Sequence, residues 1–353
     1  MTPSPSVPGS QLGNRLGLTE RIFAGPKQRR LLAVVDDGLA LVEARLEAEL
    51  HVTDVLADAT TRYLYEAGGK RLRPMLTILT AQWGDGTTED VVAGACALEI
   101  THLGSLYHDD VMDGADTRRG VPSAHAVWGN NIAILTGDLL FSRASQLMSQ
   151  IGEPAIRLQS NTFERLVLGQ MHETVGAQAD DDPVEFYLQV LADKTGSLIA
   201  AAAQAGVLFS GAPSAYEQPL LEFGEKVGIA FQLLDDVIDL SADADETGKV
   251  PGTDLRAGVP TMPFLLLGRA TDPASRALTA AIDDGVARIA DGADPGILDE
   301  PLGRLREHPA TVATRRLAAD WSRDAVGALA PLPDGPVRDA LTRFARVVVD
   351  RSH

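Results

Sequence analysis

The sequence predicts an all-α protein, one large domain of about ten to twelve helices. Three observations lead there. Apolar residues recur at spacings of three and four along most of the chain, which is the period of an amphipathic helix. Stretches that alternate with period two are few, and no Asn-Gly pair sits between β-branched runs as a hairpin cue. Aromatic residues make up only 5% of a chain that is 45% hydrophobic and rich in Ala. That composition suits close helix packing better than a β-sandwich.

The elements follow in order. Residues 1–25 are rich in Pro, Ser and Gly and are expected to form a flexible arm, leaving 26–353 as the helical domain. Leu31, Leu32, Val35, Leu39, Val42, Leu46 and Leu50 mark a first long helix. The same periodicity predicts helices over 74–83, 90–112, 131–150, 156–178, 185–209, 215–240, 261–269, 275–290, 310–330 and 336–349. Gly, Pro and Asp punctuate them, as in Gly84-Asp85-Gly86, Gly152-Glu153-Pro154 and Gly211-Ala212-Pro213. A length of 353 residues favours two domains. No linker between about 30 and 270 is long enough to divide the chain, so one domain is expected.

Composition narrows the function. The chain has 31 basic and 49 acidic residues and a formal net charge of −18, which speaks against nucleic-acid binding and a polybasic membrane anchor. The one cysteine, Cys96, cannot form an intramolecular disulfide, and it has no basic sequence neighbour to make a reactive thiolate. No segment reaches the ~18 uninterrupted apolar residues of a membrane span; the Ala-rich stretch from Ser197 to Gly211 reads as a buried helix. The N-terminus lacks the basic and apolar regions of a signal peptide. A cytoplasmic protein with no integral membrane segment is expected.

One short pattern occurs twice. Asp109-Asp110-Val111-Met112-Asp113 returns 126 residues later as Asp235-Asp236-Val237-Ile238-Asp239, each after an apolar helical stretch. Positions i and i+4 lie about 40° apart on a helix, so the first and last Asp of each motif share a face. Stacked carboxylates repel one another, and the negative end of the helix dipole adds to that. A cation must offset the charge. Hard oxygen ligands suit Mg²⁺, which takes one or two carboxylates per ion and shares phosphate oxygens with a substrate. A single motif of this kind is most often a solvated acidic helix end. Two copies with identical spacing favour several magnesium ions acting on one diphosphate. A calcium loop is a weaker alternative: Asp243, Asp245, Thr247, Gly248, Val250 and Asp254 follow an EF-hand in part, but Pro251 and Gly252 interrupt it and no Glu ends it.

Cations complement these acids. Gly68-Gly69-Lys70-Arg71-Leu72-Arg73-Pro74 places three cations in four residues ahead of a helix whose first turn holds Pro74. Lys70 and Arg73 can close on a diphosphate from two sides. The segment is no Walker loop, and in isolation it could be a solvated basic turn. In a chain of −18 such a patch is an exception. Arg118 and Arg119 follow the first acidic motif, and His102 lies two turns before Asp109 on nearly the same face.

Together these residues resemble the trans-isoprenyl diphosphate synthases, or polyprenyl synthetases. The likeness runs from about residue 30 to 350. It includes Arg118-Arg119-Gly120, Gly137-Asp138, Gly169-Gln170, Lys194-Thr195, Phe231 through Asp236, Gly248-Lys249 and Asp254-Leu255-Arg256. The resemblance implies the isoprenoid synthase fold, with helices around a central cavity. It implies that Lys70, Arg73, His102 and Arg119 bind the diphosphate of isopentenyl diphosphate. Arg118, Lys194, Thr195, Gln232 and Lys249 would bind the allylic diphosphate. Asp109, Asp113 and Asp235 would ligate two or three Mg²⁺ ions, with Asp110, Asp236, Asp239 and Glu173 alongside. Asp109, Asp113, Asp235, Lys194 and Lys249 would carry the catalysis. Where many members have Gly-Lys after Asp-Leu, this chain has Gly258-Val259, so one allylic-side cation is missing.

By the same resemblance, charge neutralisation on the departing diphosphate ionises the allylic C–O bond. The isopentenyl double bond then attacks, and the proton goes to released diphosphate. A class I terpene cyclase shares the first motif but not the Gly-Gly-Lys-Arg segment or the second Asp-Asp pair. A non-catalytic subunit would have lost acidic motifs. Family members form homodimers, for which the apolar face around Ala93, Ala97 and Ile100 is a candidate. Their product length is limited by a bulky residue about one turn before the first motif. Here Gly104 and Ser105 occupy that place, with Thr101 behind them. No plug is present, so a long product of about seven to ten isoprene units, nonaprenyl first, is expected from an open apolar tunnel. A menaquinone side chain would use such a product. A shorter geranylgeranyl product is the alternative.

Overall fold

The computed structural model describes residue 22, residues 28–241 and residues 251–350. Among these, helices run through almost the whole chain, as the periodicity predicts. They are α1 (Arg29–Leu50), α2 (Val55–Glu66), α3 (Leu72–Ala81), α4 (Glu89–Met112), α5 (Ala124–Trp128), α6 (Asn130–Ile151), α7 (Glu153–Val175) and α8 (Pro183–Leu191). A π-helical turn, Ala192–Gly196, leads into α9 (Ser197–Phe209) and α10 (Glu217–Ser241). After them come α11 (Thr253–Arg256), α12 (Met262–Gly268), α13 (Pro273–Ala290), α14 (Asp299–Glu307), α15 (Pro309–Ala328) and α16 (Pro336–Val349). Their number exceeds the sequence expectation because α14 has few apolar residues, Leu302 and Leu305 among them, α2 buries Thr60 and Thr61 beside Leu64, and the shortest helices are too brief to show a period.

Contacts gather into two compact units. The first draws on Met1–Glu164, Leu198–Gly224 and Ala328–Val347, and the second on Arg165–Ser197, Glu225–Gly327 and Val348–His353.

In the first unit α4 is the central helix. Its segment from Ala93 to Thr101 is buried on every side, and it packs along α6 as well as α1 and α3. Thr88 caps its N-terminus by accepting from the Val91 N–H, and Glu89 and Asp90 favour the positive end of the helix dipole. Close approach explains the small residues. A Cβ on Gly38 of α1 would lie 2.7 Å from Ile78 Cγ2 of α3, and one on Gly94 of α4 would lie 2.3 Å from Phe209 Cε2. The Ala-rich α9 is buried as expected, and Thr77 of α3 donates to its Ala202 carbonyl at 2.9 Å.

One expectation needs correction here. Ala93, Ala97 and Ile100 are 5%, 0% and 0% exposed within the single chain, so that face is core and cannot also be the contact with a second copy. The chain also has strands, although very short ones. Thr117–Arg118 pairs antiparallel with Val121–Pro122, with Arg118 opposite Val121. The turn between them is Arg119-Gly120, both at positive φ (55° and 79°). That is the geometry of a tight hairpin turn, and only its second residue has the sequence cue for it.

In the second unit, Ile229 and Leu233 of α10 pack with Val184, Tyr187 and Met262. Leu240 and Leu255 join Leu278, Ile282, Leu298 and Leu302 in a second cluster. No described helix is long and apolar enough to cross a membrane.

Candidate active site

The first acidic motif ends α4. The Asp113 N–H donates to the Asp109 carbonyl at 2.8 Å, so the helical register that stacks their side chains persists to the end of the motif. Asp109 is half-buried and Asp113 exposed, while Asp110, rotated by 100° from Asp109, is 0% exposed. Asp110 Oδ1 accepts from Arg118 Nε at 2.7 Å, and its Oδ2 has no hydrogen-bond partner. Burial raises the Asp110 pKa, against the pull of Arg118.

The hairpin after the motif aims its arginines. Tyr63 fastens it to α2 by donating to the Pro122 carbonyl at 2.8 Å and by packing edge-on against Trp128. Arg119 is a non-glycine residue in the left-handed region, a cost of order 1 kcal/mol. Its guanidinium donates to the Leu64 carbonyl at 2.6 Å and to the Gly68 carbonyl, which holds the backbone there.

The Gly-Gly-Lys-Arg segment lies against the same guanidinium. A Cβ on Gly69 would sit 2.6 Å from Arg71 Nη1 and 3.1 Å from Arg119 Nη2, so a side chain at 69 would displace both. Lys70 is exposed. Arg71 is also left-handed (φ 51°) and turns inward at 7% exposure. It donates to Glu43 Oε1 at 2.6 Å and Glu99 Oε1 at 3.2 Å, and lies 4.8 Å over the Tyr65 ring. Burial opposes its charge, but Glu99 and Glu43 outweigh burial and raise its pKa. Arg73 has no such clamp. Its Nε is without a partner, and burial lowers its pKa to about 10 despite Glu99. His102 is driven well below the usual imidazole range by burial, then by Arg73, Arg119, Arg118 and Arg71. These groups form a cationic cluster with a neutral imidazole. Beside it, Ser105 is 8% exposed and donates back to the His102 carbonyl at 2.9 Å. A Cβ on Gly104 would lie 2.9 Å from Phe141 Cε1.

The second unit repeats the pattern. Asp235 and Asp239 are half-buried, and Asp236 is 1% exposed. Asp236 Oδ2 accepts from the Tyr187 hydroxyl and the Met262 N–H, each at 2.9 Å. Burial raises the Asp236 pKa well above the carboxylate range. The Gly252 N–H donates to the Asp239 carbonyl at 2.9 Å, tying the start of α11 back to the motif.

Lys194 and Thr195 lie in the π-helical turn, a distortion that often marks functional positions. The turn fits because small residues face it: a Cβ on Gly169 would be 2.6 Å from Lys194 N, and one on Gly228 would be 2.5 Å from Gly196 Cα. Lys194 pairs with Glu173, and Thr195 donates to Gln232 Oε1 at 3.4 Å. Arg165 bridges Asp193 (2.8 Å) and Glu225. Lys249, and residues 243–250 of the calcium-loop alternative, lie outside the described residues.

Among the described residues no group of three or more His, Cys, Asp or Glu side chains stands ready as a metal cage. The donor chemistry still fits magnesium, because the first and last Asp of each motif lie one turn apart and neither residue is fully buried. Mg²⁺ needs only one or two per ion and fills its remaining positions with water and phosphate oxygens.

The sequence reading missed Tyr187, which bonds Asp236, as well as Glu43 and Glu99, which hold Arg71 between the assigned Lys70 and Arg73, and Arg165, which holds Asp193 beside Lys194. Glu99 had a signal: it is an acid in a run, Ala95 to Ile100, whose other members are apolar.

Helix ends carrying paired carboxylates, with clustered arginines beside the first and a Lys-Thr pair in the unit of the second, define a class of helical, metal-assisted diphosphate-handling enzymes. The polyprenyl synthetase family model matches residues 54–291. The chain belongs to that family and is a prenyltransferase. It is 42% identical to a nonaprenyl diphosphate synthase of Mycobacterium tuberculosis, over 99% of each chain. A polyprenyl synthase from Caulobacter crescentus, solved with calcium and isoprenyl diphosphate, superposes with a TM-score of 0.83 at 29% identity, covering 96% of this chain and 99% of its own. A geranylgeranyl pyrophosphate synthase from Corynebacterium glutamicum, solved with the same ligands, gives 0.79 at 39% identity, covering 93% and 98%.

Proposed function

We propose that the protein condenses isopentenyl diphosphate with an allylic diphosphate (geranyl, farnesyl or geranylgeranyl) to give a long-chain all-trans polyprenyl diphosphate, with nonaprenyl the first expectation. The observation that carries this reading is the repeated arrangement of the two motifs. In each, the middle aspartate is buried, at 0% and 1% exposure, and the flanking pair keeps solvent contact. A structural acid is thereby separated from two ligand acids, twice.

In this reading Asp109, Asp113 and Asp235, with Asp239 and Glu173 nearby in their own elements, hold two or three Mg²⁺ ions. Magnesium bound there would neutralise charge on the departing diphosphate. Asp110 and Asp236 position the motif helices instead. Lys70, Arg73, Arg119 and His102 bind the isopentenyl diphosphate; Arg118, Lys194, Thr195, Gln232 and Lys249 bind the allylic one. The allylic C–O bond breaks with its electron pair on the diphosphate, the new C–C bond forms from the isopentenyl double bond, and the released diphosphate takes the proton. Cys96 takes no part, since burial raises its thiol pKa.

The protein would act in the cytoplasm, as a homodimer, and its product would suit a menaquinone side chain. For the dimer, α6 offers exposed Ile134 and Leu135 and has only Asp138 and Arg143 as charges. In a chain of −18 that is a face with little self-repulsion.

The test is incubation of purified protein with labelled isopentenyl diphosphate, each allylic primer and Mg²⁺, with products separated by length. Products of about seven to ten units are expected. A cyclised hydrocarbon, or no incorporation with any primer, would overturn the reading.

A further inference from the structure

Four guanidiniums, those of Arg71, Arg73, Arg118 and Arg119, bear on the one imidazole of His102, and Arg119 lowers the pKa of Arg73 as well. Like charges gathered in a poorly solvated space repel one another strongly. The structure shows the cluster drawn together instead, with Arg71 and Arg119 converging on the Cβ position of Gly69. Glu99 Oε1 accepts from Arg71 Nη1 at 3.2 Å, the same nitrogen that meets Arg119 at the Gly69 position, and its charge bears on Arg71, Arg73 and Arg119 alike. It lies on α4 at 2% exposure, one turn before His102.

We propose that Glu99 is a positioning residue for the isopentenyl diphosphate site: its buried carboxylate holds Arg71 directly and keeps Arg73 and Arg119 gathered until a diphosphate arrives. The inference rests on the assignment of that site given above. Glu43 has a different task. It binds Arg71 and accepts from Tyr65 at 2.8 Å, so it fixes the outer side of one arginine, whereas Glu99 lies within the field of three.

Preorganisation of this kind lowers the cost of binding, because the cations need not be collected by the ligand. It also sets specificity between the two substrates. Among the allylic-site residues, Lys194 and Thr195 pair with Glu173 and Gln232, and Arg118 is held by Asp110. Loss of Glu99 should therefore act on one substrate only.

The test compares Glu99→Gln, which removes the charge and keeps the shape, with Glu99→Asp, which keeps the charge. For Glu99→Gln the KM for isopentenyl diphosphate should rise about tenfold or more, while the KM for the allylic primer stays within about twofold. Glu99→Asp should recover part of the loss. A general structural role would move both KM values together, and that result overturns the proposal. If Glu99→Gln does not fold, the double variant Arg71→Met/Glu99→Met removes the pair without leaving an unpaired buried charge. It should fold and still show the raised isopentenyl KM; a normal KM in it overturns the proposal. Wild-type protein that fails to condense isopentenyl diphosphate at all would overturn the site assignment instead, so the two failures are distinguishable.

Discussion

Arg118 is held by Asp110: its Nε lies 2.7 Å from Asp110 Oδ1, and the aspartate is completely buried. The middle residue of an acidic motif is thus buried and anchors a cation that follows it by eight residues. Tyr187 and Asp236 repeat this relationship in the second unit with a neutral donor, at 2.9 Å.

It follows that Asp110→Asn should impair positioning more than metal binding. Turnover with limiting allylic primer should fall about ten- to a hundredfold. The concentration of Mg²⁺ giving half-maximal rate should move little. A large rise in the magnesium requirement would mean that Asp110 is a ligand after all.

The flanking acids should behave differently. Asp109→Ala or Asp235→Ala should reduce turnover by several orders of magnitude, since each removes a metal-bearing oxygen from the transition state. A chelator should stop the wild-type reaction and added Mg²⁺ should restore it. Near-normal rates in either variant would sink the metal assignment.

His102 supplies the pH dependence. Its folded-state pKa lies well below the usual imidazole value, from burial and then four arginines, whereas in the unfolded chain it is about 6.5. Between those two values the unfolded chain binds the proton and the folded chain does not. The stability contribution is therefore complete above about pH 6.5 and declines as the pH falls below it. Diphosphate offsets the arginines, so binding at about pH 6 should take up a proton. Nitrogen-15 NMR of the free protein should show a neutral His102 at that pH, and calorimetry in two buffers should show the uptake. An imidazole titrating at its ordinary value in the free protein would contradict the clustered-cation geometry.

The main architecture was legible because its signals are local. The apolar repeat of α1 and the identical spacing of the two acidic motifs need no partner to be read. Helix α2 escaped because Thr60, Thr61, Tyr63 and Tyr65 blur its apolar stripe. Its one clear cue is Asp54, which caps it by accepting from the Leu56 and Ala57 N–H groups. The hairpin at 117–122 was hidden because Arg119 adopts a conformation that its side chain does not favour. Its stabilising bonds go to Leu64 and Gly68, more than fifty residues earlier. Glu99 and Tyr187 were missed for the same reason: pairs such as Arg71–Glu99 and Tyr187–Asp236 join distant positions, and spacing within one helix carries no trace of them.

If Gly104 and Ser105 border the growing tail, product length should depend on just such a pairing across helices. Both are small, but the residue opposite is large. A Cβ on Gly104 would come within 2.9 Å of the Phe141 ring of α6. Phe141 is itself braced by Phe163, with ring centroids 4.6 Å apart, and by His108 at 5.3 Å. Ser105→Phe should shorten the product to about four or five units, because an aromatic ring beside the motif fills space the growing tail needs. If the Phe141 ring stands across the path of that tail, Phe141→Ala should shift the distribution toward longer chains, since truncation leaves room that the braced Phe163 cannot fully close. The two variants therefore move the product in opposite directions from one wild-type length. That is read by chromatography of the dephosphorylated alcohols. Should Phe141→Ala leave the length unchanged while Ser105→Phe shortens it, the tail passes along α4 without reaching α6 at this level. Should neither alter the length, the stop lies elsewhere, and the open-wall account of Gly104 and Ser105 fails.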